Sequence, residues 1–369
     1  MSDGDPTEGE GRQEQTVESK GDSKRRRGGL FRRFTDAPWW VHVLAALGAV
    51  FALLVAGVAA LALVFVDITL ERGALPPGIP PQTEVTGDEA RALAERFAPM
   101  LRYDSKELFV PIPRAAYLSR TELKRERGTV VPEVLEKLVS ASNLPIDLGD
   151  CLKDCLLFLD VRGAEPDPPE RVEKRYDAIE EELLESGARP TVYYHVTHYD
   201  DTDEYAVQYW FLYFFNYRLN EHESDWEQIT VRLDENREPT AVFYSAHEGG
   251  NTGAFAKVAE VGHPVAYPAL GSHANYFRSG PHEVKLVCRR VLANISPCLR
   301  GGKLLNDVNN GDGEELSLGD GGYELARLEG PLFIGSYGSG NYVVLTRQKS
   351  VLGDPRARTA WLDPLRRLR

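Results

Sequence analysis

The sequence predicts a mainly β domain, an antiparallel β-sandwich with flanking helices, carried by one N-terminal transmembrane helix. Three observations point there. From Val41 to Val66 no side chain is charged, and a run of that length crosses a hydrocarbon core of roughly 30 Å as a helix. From Thr191 onward, β-branched and aromatic residues come in short runs divided by turn residues such as Asp200–Asp203 and Asp234–Asn236, the pattern of strands in tight succession. No long helical pattern separates the first four runs, which favours antiparallel pairing over strand–helix alternation.

Taken in order, residues 1–37 are rich in Gly, Ser, Glu, Asp and Arg and nearly free of large apolar side chains. Such a segment cannot bury enough surface to offset ordering, so it reads as a disordered cytoplasmic tail. Residues 38–67 read as a signal anchor. Trp39 and Trp40 open it as interfacial anchors, Lys24, Arg25, Arg26, Arg27, Arg32 and Arg33 precede it, and Arg72 alone follows closely. The basic side stays in the cytoplasm, which places everything from about Asp67 outside the cell membrane. A cleavable signal peptide would carry a shorter apolar region, roughly 7–15 residues.

Residues 68–85, with Pro76, Pro77, Pro80 and Pro81, read as an extended stalk, and residues 86–369 as the extracytoplasmic domain. A helix is expected from Thr86 to about Phe97, with an acidic first turn. Two more are expected at Val131–Ser140, which Pro132 can open, and at Pro169–Ser186, where Val172, Tyr176, Ile179, Leu183 and Leu184 recur at helical spacing. Seven strand candidates follow: TVYYHVTHY, EYAVQYWFLYFFN, DWEQITVRL, PTAVFYSAH, HPVAYPAL, EVKLVCRRVL and NYVVLTR. Tyr205–Phe215 is apolar on both alternating faces, as in a central strand. The Gly-rich stretch from about Gly301 to Gly322 reads as a surface loop. Within it DVNNGDGEE imitates a calcium loop, but Asp312 stands where the sharp turn needs glycine.

The formal charge is −13. Residues 1–40 carry eight acidic and eight basic side chains, so the deficit belongs to the domain. An acidic domain has little to neutralise phosphates with, and nucleic acid is excluded as a partner. All four cysteines, Cys151, Cys155, Cys288 and Cys298, fall on the outer side, where disulfides persist. Local pairing, Cys151–Cys155 and Cys288–Cys298, is the simplest connectivity, although others are open. CLKDC lacks the two-residue spacing of a redox pair.

Seven of the eight histidines lie between His195 and His282. In NEHESDWEQITVRL, His222 ends a loop, and Asp225 and Glu227 open a strand. Alternation sends both carboxylates to one face and Trp226 to the other, with His222 able to fold back onto the acids. One imidazole and two carboxylates suit a hard or intermediate cation such as Ca2+, Mg2+ or Mn2+. The competing reading is a solvated acidic strand edge. Asn216 ends the preceding strand and His247 ends the following one, before Gly249 and Gly250. Hairpin pairing of consecutive strands would bring His247 near Asp225. Farther on, His263, Ser272, His273 and Asn275 offer more polar side chains; His273 is open between a site role and a structural one. Adjacent strand residues face opposite ways, so Ser272 and His273 cannot alone be a nucleophile pair, and no G-x-S-x-G turn is present. His195, His198 and His282 read as surface or structural.

HESDWEQITVRLDE, with QYWFLYFFN before it and AVFYSAHEGG and HPVAYPALGSHANYF after it, resembles the vacuolar protein sorting sixty-two-related family. RFAPMLRYDSKELFVPI is similar to that family's opening segment, so the resemblance spans roughly residues 90–280. The H-x-x-D-W-E core is also similar to the signature of necrosis-and-ethylene-inducing-like proteins. That resemblance implies a secreted β-sandwich in which His222, Asp225 and Glu227 hold a divalent cation used in binding membrane glycolipids. The chain departs from it at Ser224, where a second histidine is expected, and at Asn216, near an expected aspartate.

Three functions follow as expectations. The first is a membrane-anchored, metal-supported module recognising a lipid headgroup or glycan. The second is a metal-dependent hydrolase of an ester or phosphoester, with the acids holding the ion and His247 or His273 moving a proton. The third is an envelope scaffold. Asn294–Ser296 is a glycosylation sequon.

Overall fold

The computed structural model describes residues 78–127, 132–144, 155–163, 172–218, 221–247, 249–283, 306–333, 335–338 and 353–369. The expected tail and membrane span, the side chains of all four cysteines, and nearly all of the strand runs at 283–292 and 341–347 lie outside the described residues. Among the described residues no helix is long and apolar enough to cross a membrane.

The chain is mainly β. In order it forms β1 (Gln82–Val85), α1 (Gly87–Arg96), β2 (Met100–Arg102), α2 (Arg114–Ser119), β3 (Thr121–Arg127), β4 (Glu133–Glu136), β5 (Cys155–Val161) and α3 (Val172–Glu185). Then come β6 (Thr191–Tyr199), β7 (Glu204–Asn216), β8 (His222–Leu233), β9 (Pro239–Ala246) and β10 (Gly249–Ala254). Short strands follow: β11 (Ala259–Glu260), β12 (His263–Pro268), β13 (Asn275–Tyr276), β14 (Gly280–Glu283), β15 (Asn306–Asn309), β16 (Glu315–Leu316) and β17 (Glu324–Arg327).

The large sheet runs β1-β6-β7-β8-β9-β10, with β17 also on β6. Its centre is β7. Phe211 to Phe215 are fully buried, as expected of a strand covered on both faces, and each such side chain contributes about 1.5–3 kcal/mol by leaving water. A smaller sheet, β11-β12-β2-β16, joins the same hydrophobic core through Leu101, Ala266 and Leu316. On one face of β7, Tyr176 of α3 stacks on Phe215 at 4.0 Å. Against the sheet near β6 and β7, the C-terminal segment stacks Trp361 on His195 at 4.1 Å and buries Leu365 beside Tyr199 and Ala206.

Four expectations need correction. The helix expected at Val131–Ser140 is instead the strand β4, antiparallel to β3: Glu133 pairs with Arg125 across the ladder, and a strand partner overrides local helical spacing. The stalk expected at residues 68–85 ends in β1, which adds to the sheet edge opposite Val196–Tyr199. The Gly301–Gly322 loop contains β15 and β16, because Asp307 and Asn309 are buried at strand spacing. The sheets are mostly antiparallel, but β17 on β6 and β12 on β2 are parallel.

Candidate metal and ligand site at the start of the central hairpin

The site forms where β8 enters the sheet beside the end of β7. The register is continuous: Asn216 faces His222, Phe215 faces Glu223, Tyr213 faces Asp225 and Phe211 faces Glu227. Strict alternation would put Asn216 and His222 on the face opposite Asp225. Ser224, with φ of 55°, interrupts that alternation. Beside this kink, Asn216 Nδ2 donates to Asp225 Oδ2 at 3.0 Å. His222 Nδ1 donates to Ser224 O at 2.7 Å, which turns the ring back along its own strand.

Asp225 is 3% exposed and Glu227 9%, yet their surroundings differ. His273, on the turn after β12, brings Nδ1 to 3.1 Å from Asp225 Oδ2 and Nε2 to 3.6 Å from Glu107 Oε1. Its ring stacks on Tyr213 at 3.9 Å. Burial opposes charge on His273, but the hydrogen bond to Asp225 and the negative charge of Glu107, 3.6 Å from Nε2, win and lift its pKa to about 9. In turn, burial raises the Asp225 carboxyl, while His273 and the nearby His222 more than reverse it and hold it below the ordinary range. These two form a charged pair at neutral pH.

Glu227 has no cation hydrogen-bonded to it among the described residues. The Ser245 hydroxyl bonds its carboxyl. Burial and the charge of Asp225 push its pKa to about 8, so it keeps its proton at neutral pH. Arg358, from the C-terminal segment, donates to Trp226 O at 2.9 Å, the carbonyl between the two acids.

His247 follows β9, and the β8–β9 hairpin brings it within electrostatic reach of both acids. Its Nε2, however, lies 2.7 Å from Asp307 Oδ2. Asp307 also accepts from Ser272 Oγ at 2.9 Å and Tyr276 OH at 2.8 Å. Burial lowers the His247 pKa, but the bond to Asp307 leaves it raised. The sequence reading missed Asp307 inside a Gly-rich segment. The available signal was Asp307-x-Asn309, two polar residues at strand spacing. Asp312, the second aspartate of the calcium-like stretch, accepts from Ser105 N at 2.9 Å.

Six non-glycine residues among those described have positive φ, and Ser224, His247 and His273 are three of them. Strained backbone gathers where side-chain direction matters more than local stability. The remaining histidines are placed elsewhere: His195 bonds Gln208 at 2.9 Å, His198 approaches Asp203, His263 bonds Ala98 O and His282 bonds Arg278 O.

Among the described residues, no three His, Cys, Asp or Glu side chains converge as a ligand set. Asp225 turns to His273, Glu227 to Ser245 and His222 to its own strand. The donor types present, two buried carboxyls two residues apart and an imidazole, are those a hard or intermediate divalent cation takes, but the three side chains are not gathered around one point.

No family model and no curated protein matches the chain, so the resemblance to the vacuolar protein sorting sixty-two-related family finds no support there. Solved structures of the necrosis-and-ethylene-inducing-like toxin fold are similar to part of it. NLPPya in complex with mannosamine is 17% identical, covering 56% of this chain and 74% of its own, with a TM-score of 0.29. NLPPya in complex with glucosamine is 16% identical over the same shares, with a TM-score of 0.30. A structure described as a toxin fold as basis for microbial attack and plant defense is 17% identical, covering 56% and 76%, with a TM-score of 0.27. At those scores the likeness is partial, and the site stands on its own geometry.

Proposed function

We propose that the chain is a membrane-anchored, extracytoplasmic β-sandwich recognition module. In it His222, Asp225 and Glu227 hold a divalent cation, Ca2+ or Mg2+, and present it to a glycan or lipid headgroup. The observation that carries this reading is the asymmetry of the two acids. Asp225 is hydrogen-bonded by the His273 imidazole, whereas the Glu227 carboxyl on the same buried strand face is bonded, among the described residues, by the uncharged Ser245 hydroxyl, and burial beside Asp225 pushes it toward holding a proton. A dication replaces that proton and neutralises both carboxyls together. Asn216, His247 and His273 would form the wall, positioning the acids rather than the ligand. Support for the anchor is the uncharged run Val41–Val66 with its basic N-terminal flank.

The test uses the full-length chain purified in detergent. Bound Ca2+ and Mg2+ are measured by elemental analysis and calorimetry, in wild type and in Asp225→Ala with Glu227→Ala. The reading requires cation binding that the double variant loses, and binding to glycolipid-containing vesicles that EDTA abolishes. Vesicle binding indifferent to EDTA sinks it.

One observation favours a hydrolase as second reading. Asp307 holds His247 by Nε2 and so orients its imidazole, a proton-transfer group, within electrostatic reach of Asp225 and Glu227. Turnover of an ester or phosphoester panel, lost in His247→Ala, would favour it over recognition alone.

A further inference from the structure

A cavity of about 170 Å3 lies between the edge strand β10 and the turn that joins β13 to β14. None of the residues assigned to the cation site lines it. A space of about 150 Å3 accommodates one benzene, so this one takes a molecule of roughly six to ten non-hydrogen atoms.

Its aromatic wall is held from behind. The His282 imidazole lies flat on the Tyr276 ring, with centroids 3.7 Å apart, and His282 Nε2 donates to Arg278 O at 2.9 Å. Tyr276 OH in turn donates to Asp307 at 2.8 Å. Asn251 of β10 faces Tyr244 across the β9–β10 ladder, and Phe277 packs on the same Tyr244 ring at 5.8 Å. Strand edge and turn therefore meet over one tyrosine, and Asn251 and Phe277 both line the cavity.

The charges on the rim are the informative feature. Arg278 in the turn and Glu283 at the end of β14 are both exposed and both line this one small space. No ion pair joins them, and neither side chain has another partner among the described residues. The domain is acidic, and its other exposed arginines find a carboxylate readily: Arg96 pairs with Glu238, Arg237 with Glu89 and Arg327 with Glu84. A guanidinium and a carboxylate that share a cavity yet stay apart leave room between them for a ligand bearing both charges.

We propose that this cavity binds a small zwitterion, in which an ammonium and an oxyanion are separated by a few bonds. The planar guanidinium of Arg278 takes the oxyanion, carboxylate or phosphate, through paired N–H bonds. Glu283 takes the ammonium, in a wall whose aromatic rings also favour a cation. The Asn251 amide can donate to the one group or accept from the other. Free α-amino acids and headgroups of the phosphoethanolamine type share this chemistry and this size. The site does not rest on the cation reading.

The experiment is calorimetry in EDTA on the full-length chain in detergent, with glycine, L-serine and O-phosphoethanolamine as probes and with acetate and ethylammonium as single-charge controls. Wild type is expected to bind at least one zwitterion, and to bind either control at least about tenfold more weakly, because each charge-assisted contact is lost in turn. Arg278→Gln and Glu283→Gln should each weaken zwitterion binding by at least about tenfold while leaving the melting temperature unchanged, since both side chains are exposed and His282 bonds only the Arg278 backbone. Phosphoethanolamine binding more tightly than the amino acids identifies the source as a lipid headgroup, the reverse order identifies a free solute, and either upholds the site. A wild-type chain that binds none of the three zwitterions overturns it. So does acetate binding as tightly as glycine, or zwitterion binding that survives unchanged in both variants.

Discussion

His273 Nδ1 lies 3.1 Å from Asp225 Oδ2 in the core, with the imidazole flat on Tyr213. The pairing fixes how stability should depend on pH. His273 titrates at about 9 when folded, against about 6.5 unfolded. Its contribution is therefore complete below about pH 6.5 and is lost as pH rises through 9. Glu227 works in the same direction: its folded value of about 8 lies above the unfolded one, so deprotonation also destabilises. The melting temperature in EDTA should fall steadily from about pH 6 to 9, with His273→Gln flattening the slope. A wild-type profile level across that range contradicts the pairing.

Cation affinity should move the opposite way. Below about pH 8 an ion must displace the Glu227 proton, and affinity then rises by up to about tenfold per pH unit. Glu227→Gln carries no such proton and should give weak, nearly pH-independent binding. Calorimetry at about pH 6, 7 and 8 checks this, and equal slopes in the two proteins would contradict it.

What the sequence made legible follows from what each signal measures. Short runs of β-branched and aromatic residues located β6 to β9, and in β7 burial on both faces leaves a continuous apolar string. The H-x-x-D-W-E spacing located Asp225 and Glu227 because they sit on one strand. Partners that arrive from elsewhere were less readable. Glu107 and Asp307 carry no local pattern tying them to β8, and β4 looked helical because its ladder partner is remote in sequence. Ser224 is the sharpest case: a positive φ in a run with strand character was invisible, yet it is where the alternation breaks.

That kink gives a backbone prediction. At φ of 55° a β-branched side chain is strained, so Ser224→Val should lose about 2 kcal/mol, while Ser224→Gly should be neutral or slightly stabilising. Urea unfolding of the two variants separates them, and equal midpoints would show that the kink is absent in solution.

The turn carrying His273 is similarly constrained. Gly271 has φ of 71°, and an added Cβ would lie 2.6 Å from the Tyr217 ring. Its N–H also donates to Glu107 Oε2 at 2.6 Å, the acid that approaches His273. Gly271→Ala should therefore lower stability by about 2 kcal/mol or more and weaken the pH dependence ascribed to His273. Melts at about pH 6 and 9 read both effects, and an unchanged melting temperature would rule out the close approach.

Asp354 anchors the C-terminal segment that delivers Arg358 to Trp226 O. It is fully buried, accepts from Arg356 Nε at 2.8 Å and Nη2 at 2.7 Å, and lies 3.7 Å from Arg114. Removing one member of a buried ionic cluster leaves the others uncompensated and typically costs about 3–5 kcal/mol. Asp354→Ala should therefore melt well below wild type and release residues 353–369 to limited proteolysis, unstacking Trp361 from His195. Arg358 also adds positive charge near Glu227 and Asp225, which works against a cation there. If the variant remains folded at low temperature, it should bind Ca2+ more tightly than wild type once that charge has moved away. Weaker binding by a folded Asp354→Ala would mean that Arg358 helps to shape the site rather than competing for it.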